Sequence, residues 1–182
     1  AASLQLGKDM GAIITKSQVE FLHAAIGRAE AAGARVLVDG RKAKAPAGFE
    51  GGNWLAPTVL DQVQPGSEAA KIELFGPIIS IVHVKDLTEA LAIQATSEYG
   101  NACSVFTSNG ALAERVMREA RAGMVGVNVG VPVPREPFSF GGINASKFGH
   151  GDITGVHSLD FWSDVKKITS KWEKQNDSNW MS

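Results

Sequence analysis

Between residues 15 and 32 the apolar side chains of Val19, Leu22, Ile26 and Ala29 recur at spacings of three and four. That spacing puts them on one face of a helix. Thr15 and Gln18 stand in the positions of a capping box, whose hydroxyl and amide satisfy free N–H groups at a helix start, and Gly33 stands where helices commonly stop. Residues 35–38 (Arg-Val-Leu-Val) predict a short strand that turns at Asp39-Gly40. Residues 42–52 mix Pro, Gly and charge and predict a surface loop. Residues 54–60 form a second strand candidate, and Pro57 within it points to an edge position. Residues 77–84 (Pro-Ile-Ile-Ser-Ile-Val-His-Val) are a nearly unbroken apolar run, suited to a strand covered on both faces as in a parallel sheet. Asp86 and Glu89 form another capping box, opening a helix expected to end near Tyr99-Gly100. Residues 102–107 then predict a strand, 109–122 a helix with Leu112, Val116 and Ala120 inward, and 124–129 a further strand.

Strand, helix, strand, helix, strand over residues 77–129 is a βαβαβ order with short connections. It predicts an α/β fold built on a doubly wound parallel sheet. After Val131 the pattern breaks. Pro132, Pro134, Pro137 and the Gly141-Gly142 pair introduce an irregular stretch reaching about Gly155. Loops of such length in compact domains are usually functional or disordered; Phe138, Phe140 and Phe148 within it argue for order. In residues 164–172, Lys167 and Lys171 alternate with Ile168 and Trp172, the pattern of a half-exposed, lysine-rich edge strand. The expected organisation is one domain over residues 1–160, a terminal strand over 161–172 and a polar tail over 173–182, in which Trp180 is unexplained.

Composition adds limits. The chain has 182 residues, 44% of them hydrophobic, with 18 basic and 19 acidic side chains. That length suits about one domain, and the balanced charge argues against a polyanion-binding protein and hence against nucleic acid as a partner. A single cysteine excludes an internal disulfide, and no Cys/His spacing resembles a metal site. No stretch approaches the ~18 apolar residues of a membrane span. The opening residues lack the charged start and apolar core of a secretory signal. They also lack a starting methionine, which fits a cut piece or a processed form.

Few residues offer chemistry. Cys103 lies within an apolar strand whose sequence neighbours supply no base or cation to activate it, so it reads as structural. The four histidines, His23, His83, His150 and His157, are dispersed and share no ligand spacing. Glu73 and Phe75 are more promising: two apart on an extended segment before the strongest strand, they point the same way. A carboxylate can accept from both hydroxyls of a ribose diol, and a phenyl ring makes a flat apolar wall. The competing reading is an exposed acid beside a core phenylalanine.

Glu73-Leu74-Phe75-Gly76-Pro77 closely resembles the E-[IL]-F-G-P motif of the aldehyde dehydrogenase superfamily. The resemblance continues in order along almost the whole chain. Asp9-Met10-Gly11-Ala12-Ile13-Ile14 is similar to the family's D-M-G-P-L-I, Trp54-Leu55-Ala56-Pro57-Thr58 to its F-x-x-P-T, and Tyr99-Gly100-Asn101, Val105-Phe106-Thr107 and Gly123-Met124-Val125-Gly126-Val127-Asn128 to later motifs. Lys166-Lys167-Ile168-Thr169 resembles its late V-K-T-V-T strand. Residues 127–134, with Phe138-Ser139-Phe140-Gly141-Gly142 and Ile168-Thr169-Ser170-Lys171-Trp172, look most like the methylmalonate-semialdehyde branch, although Ala12 and Gly130 replace prolines there.

The resemblance implies an oxidation with NAD as cofactor: a cysteine thiolate attacks an aldehyde, hydride passes to nicotinamide, and the thioester is released to water or, in this branch, to coenzyme A. It implies that Glu73 binds the nicotinamide ribose and that Phe75 packs against the cofactor, while Phe138 and Phe140 line the substrate tunnel. It also implies that the nucleophile, the general-base glutamate and most of the dinucleotide domain belong upstream of Asp9, so that this chain holds no catalytic residue and is inert alone. The terminal strand would serve homo-oligomerisation. The alternative is a non-catalytic, truncated interaction module that kept the sheet and pairs through its last strand. Cytoplasm is the expected location, with a removed organelle-targeting peptide also compatible.

Overall fold

The structure is a computed structural model that describes residues 5–149 and 151–172. It divides into two compact units, Ala1–Ser97 and Glu98–Ser182. The sequence pattern draws no boundary there.

In the first unit, α1 (Lys16–Ala31) starts as expected, with the Gln18 amide donating to Thr15 Oγ1 at 3.1 Å. The box is not closed by the Gln18 side chain, which instead donates from Nε2 to the Leu74 carbonyl at 2.8 Å. Gly33 ends the helix turn at φ 97°, a backbone conformation cheap only for glycine. Strands β1 (Arg35–Val38), β2 (Thr58–Asp61) and β3 (Ile78–Ser80) form one sheet in that order, β1 antiparallel and β3 parallel to β2. The short helix α2 (Glu68–Lys71) links β2 to β3, and α3 (Leu87–Ala95) follows.

Two expectations are corrected here. The second strand is central rather than an edge, because Pro57 lies just before β2, where a missing N–H costs the ladder nothing. The apolar run 77–84 gives only a three-residue strand and is not covered on both faces. In register, Val36, Leu60 and Ser80 are aligned, and Val38, Val59 and Ile79 form the neighbouring row. Leu60 joins Leu22, Ile26, Ala29, Leu55 and Val63 in the core, whereas Ile79 is 63% exposed and Val38 51%. Each aliphatic side chain fully buried in that core contributes ~1.5–3 kcal/mol relative to exposure.

In the second unit, β4 (Tyr99–Gly100) begins where the preceding helix was expected to end; α3 stops earlier, at Ala95. Strand β5 (Ala102–Val105), helix α4 (Gly110–Glu119) and β6 (Met124–Val127) make a βαβ unit with β5 and β6 parallel. The α/β class is therefore present, with parallel pairing in two of the three small sheets among the described residues. Asn109 caps α4 by accepting from the amides of Ala111 and Leu112. Ala113 and Val116 are the buried residues of α4 and Leu112 is exposed, one position away from the expected stripe. Asn128, at φ 56°, lengthens the β5–β6 pairing: its Oδ1 accepts from the Thr107 amide at 2.9 Å and its Nδ2 donates to the Thr107 carbonyl at 3.1 Å.

The irregular stretch is not wholly without regular structure. It contains β7 (Ile143–Asn144), antiparallel to β4, and is followed by the short helix α5 (Ser158–Phe161). Residues 163–172 form no regular strand within the single chain: Val165, Ile168 and Trp172 are all exposed, and an alternating segment needs a neighbouring strand before it can pair. The expected polar tail, with Trp180, lies outside the described residues, as does His150.

Candidate functional site

The Glu73–Pro77 motif occupies the turn between α2 and β3, and four contacts hold its backbone. Gln18 donates to the Leu74 carbonyl from α1. The Thr58 amide donates to the Pro77 carbonyl at 2.8 Å, and the Ile78 amide to the Gly76 carbonyl at 2.7 Å. Gly76 rests directly on the core: a Cβ there would lie 2.6 and 2.7 Å from the two methyls of Leu22. Only glycine lets the backbone approach that closely.

Phe75 sits at φ 50°, a left-handed conformation uncommon for an aromatic residue, and its ring is 77% exposed. Strain of this kind costs ~1–3 kcal/mol and persists where the surroundings over-determine the backbone. Here it turns the ring outward instead of into the core. Glu73, Phe75 and Gly76 line a cavity of about 360 Å³, together with Ile72, Ile78 and Ser80. The two sequence-identified residues of this unit are thus brought together on one wall. The volume lies at the low end of ligand pockets, ~300–1,000 Å³.

Phe138 and Phe140 lie in the second unit, on the stretch that follows β6, with exposures of 72% and 44%. The Phe140 amide donates to Thr154 Oγ1 at 2.8 Å, and the Val156 amide to the Pro137 carbonyl at 3.1 Å. Sequence reasoning missed this backing segment. Its only local signal was the Thr154-Gly155 pair inside an irregular stretch.

Cys103 is half-buried in β5, and burial pushes its thiol above the usual range. That disfavours the thiolate, in line with a structural role. His83 does have a partner: its Nε2 lies 2.6 Å from Asp61 Oδ1, while Arg35 reaches Asp61 Oδ2 at 3.0 Å. The hydrogen bond to His83, then that to Arg35, hold the Asp61 carboxyl below its ordinary range. The cluster ties β1, β2 and the segment after β3 together, and none of its three residues lines the cavity.

Comparisons with known proteins place the chain in a family. The aldehyde dehydrogenase family pattern matches residues 2–168. The chain is 37% identical over 172 residues to the acylating mitochondrial methylmalonate-semialdehyde/malonate-semialdehyde dehydrogenase of Rattus norvegicus, covering 94% of this chain and 32% of that protein. A solved structure from Sinorhizobium meliloti 1021, described as a methylmalonate-semialdehyde dehydrogenase complexed with NAD, superposes with a TM-score of 0.89 at 37% identity, over 95% of this chain and 36% of that one. The methylmalonate-semialdehyde dehydrogenase of Oceanimonas doudoroffii gives a TM-score of 0.86 at 34% identity, over 92% and 34%. The chain thus spans about a third of the length of the relatives it matches. No helix among the described residues is long and apolar enough to cross a membrane. With the motif series, the fold and the relatives in agreement, the chain belongs to the aldehyde dehydrogenase family.

Proposed function

We propose that this chain is a portion of an NAD-dependent aldehyde dehydrogenase that converts a short aldehyde of the (methyl)malonate-semialdehyde type to an acyl-CoA, and that it is inactive by itself. One observation carries the reading: an outward carboxylate and an outward phenyl ring share one cavity on a backbone clamped to the core. The acylating name of the rat relative and the NAD in the Sinorhizobium structure support the choice of coenzyme A and of NAD.

The residues present suit one part of the cofactor. The Glu73 carboxylate has the acceptor capacity to take both hydroxyls of a ribose, and the Phe75 ring offers a flat apolar wall that excludes water beside it. NAD, when bound, supplies the hydride acceptor; the protein orients it. Phe138 and Phe140 would surround the aldehyde. A thioester route requires an activated thiol, and Cys103, with its thiol pushed up by burial, does not meet that need. The inactivity of the isolated chain follows from that. The exposed segment 164–172, carrying Val165, Ile168 and Trp172, would pair with a second copy in the full-length protein.

The test is NADH formation from methylmalonate semialdehyde, coenzyme A and NAD, by this chain and by a full-length aldehyde dehydrogenase carrying it. Turnover is expected from the second alone; none from either rejects the reading. In the full-length enzyme, Glu73→Gln should raise the KM for NAD or slow hydride transfer by roughly 10- to 100-fold, since a hydrogen bond to a charged group contributes ~1.5–3 kcal/mol. Unchanged cofactor kinetics would remove Glu73 from the site.

A further inference from the structure

Phe138 stands largely in the open and Phe140 is a little less than half exposed, so packing alone does little to fix where they point. What holds them is their backbone, and that is held by a second strip of chain. Residues 152–156 run alongside 137–140. The Phe140 amide donates to Thr154 Oγ1 at 2.8 Å and the Val156 amide to the Pro137 carbonyl at 3.1 Å. Between these two bonds Gly155, at φ 64°, lies flat against the hook: a Cβ there would stand 2.7 Å from the Pro137 oxygen and the Ser139 nitrogen, and 2.8 Å from the Phe138 carbonyl carbon. Both the conformation and the contact require glycine.

The strip is fastened in turn. Lys147 Nζ reaches Asp152 Oδ1 at 3.0 Å, with both side chains partly buried. Ser158 Oγ donates to the Gly155 carbonyl at 2.7 Å, and Trp162 Nε1 to the Ile153 carbonyl at 3.4 Å. Ser139 Oγ, between the two phenylalanines, is buried without a hydrogen-bond partner among the described residues. A buried hydroxyl of that kind is a costly feature in a loop.

We propose that residues 152–156 form a strap that sets the position of the Phe138–Phe140 hook, with Thr154 as the positioning residue, and that the strap decides which aldehydes fit. This rests on the reading of Phe138 and Phe140 as substrate-lining residues. A 1 Å displacement of a positioning element can cost a large factor in rate, so a single hydrogen bond at Thr154 has leverage on the site without touching substrate.

Two measurements test the strap. In this chain, amide exchange at Phe140 should accelerate roughly five- to tenfold in Thr154→Val and stay near wild type in Thr154→Ser, which keeps the acceptor. In the full-length enzyme, Thr154→Val should raise the KM for methylmalonate semialdehyde by a similar factor while the KM for NAD is unchanged, with Thr154→Ser restoring it. Asp152→Asn weakens the Lys147 clasp at a distance and should give a smaller change of the same sign. Phe140→Ala separates the two ideas. If it leaves the aldehyde KM unchanged, the substrate-lining reading falls and the strap's role in selection falls with it. If it raises that KM while Thr154→Val and Asp152→Asn alter neither exchange nor KM, the strap alone is overturned.

Discussion

The two units place similar chemistry on differently built supports. In the first, the Glu73–Phe75 turn rests on a core of large aliphatic residues: Leu22 and Ile26 from α1, Leu55 and Val63 from the flanks, Leu60 from the central strand, all 3% exposed or less. In the second, the buried apolar residues among those described are Ala113, Val116 and Met124, and the shape of the chain depends heavily on polar bonds: Asn128 to Thr107, Phe140 to Thr154, Lys147 to Asp152. Area-proportional burial is robust to small displacements. Hydrogen bonds are directional and modest in net worth, ~0.5–1.5 kcal/mol each. A loop held by the second kind of support has its position set by a few specific bonds, so removing one of them shifts it more than trimming one of many apolar contacts would.

The sharpest way to break the contrast is Leu22→Ala. It removes a fully buried side chain on which both the sheet and Gly76 rest, so the loss should be ~2–5 kcal/mol, as for other core leucines. Urea unfolding of the isolated chain measures it. Leu112→Ala, at an exposed position of α4, is the matched control and should change stability little. Equal losses at the two positions would mean that the first unit has no privileged core.

A smaller effect is expected from Asn128→Ala. The substitution deletes two hydrogen bonds to Thr107 and leaves alanine at φ 56°, where asparagine is better tolerated. A loss of ~1–3 kcal/mol follows from the two bonds. Amide exchange should show it in β5 and β6 and leave the first unit's core unchanged. Loss of protection spread evenly over both units would contradict the idea that each is supported separately.

The same contrast explains what the sequence made legible. The helix over 15–32 announced itself because the cap, the apolar spacing and Gly33 all agree locally, and the βαβ unit from β5 to β6 did so for the same reason. Glu73 and Phe75 were legible as a pair from their motif, but the expected extended alternation is not how they meet: Phe75 stands in a left-handed turn at φ 50°, and it is that turn which leaves both residues lining one cavity. Phe138 and Phe140 could be singled out only through family resemblance. The central position of β2 was hidden, since Pro57 disqualifies its own residue but says nothing of the strand beginning one residue later. Thr154, Asn128 and the Arg35–Asp61–His83 cluster were invisible for a deeper reason: each acts through a partner 14 to 26 positions distant, and polar pairs at such separations leave no periodic trace. The apolar run 77–84 misled in the other direction. Its composition suits two covered faces, but composition does not say what polypeptide supplies the second cover.

The smallest effect concerns acid. Asp39, Glu50, Asp61 and Glu68, all in the first unit, are carboxyls held below their ordinary range. For Asp39 the Arg41 side-chain hydrogen bond is the main cause, and the carboxyl falls to about 2. A folded-state value below the unfolded one means that the unfolded chain binds more protons between the two. The stabilisation is therefore fully present above about pH 4, the ordinary aspartate value, and is lost as pH falls toward about 2. Arg41→Gln should flatten that part of the acid limb and lower stability slightly near neutrality, because Arg41 also bonds Glu30 at 2.8 Å. Urea midpoints recorded across this window for both proteins provide the check. If wild type and variant lose stability in parallel as acid is added, Asp39 is not the group being titrated, and the acid sensitivity of the first unit must then rest on the other lowered carboxyls, Glu50, Asp61 and Glu68.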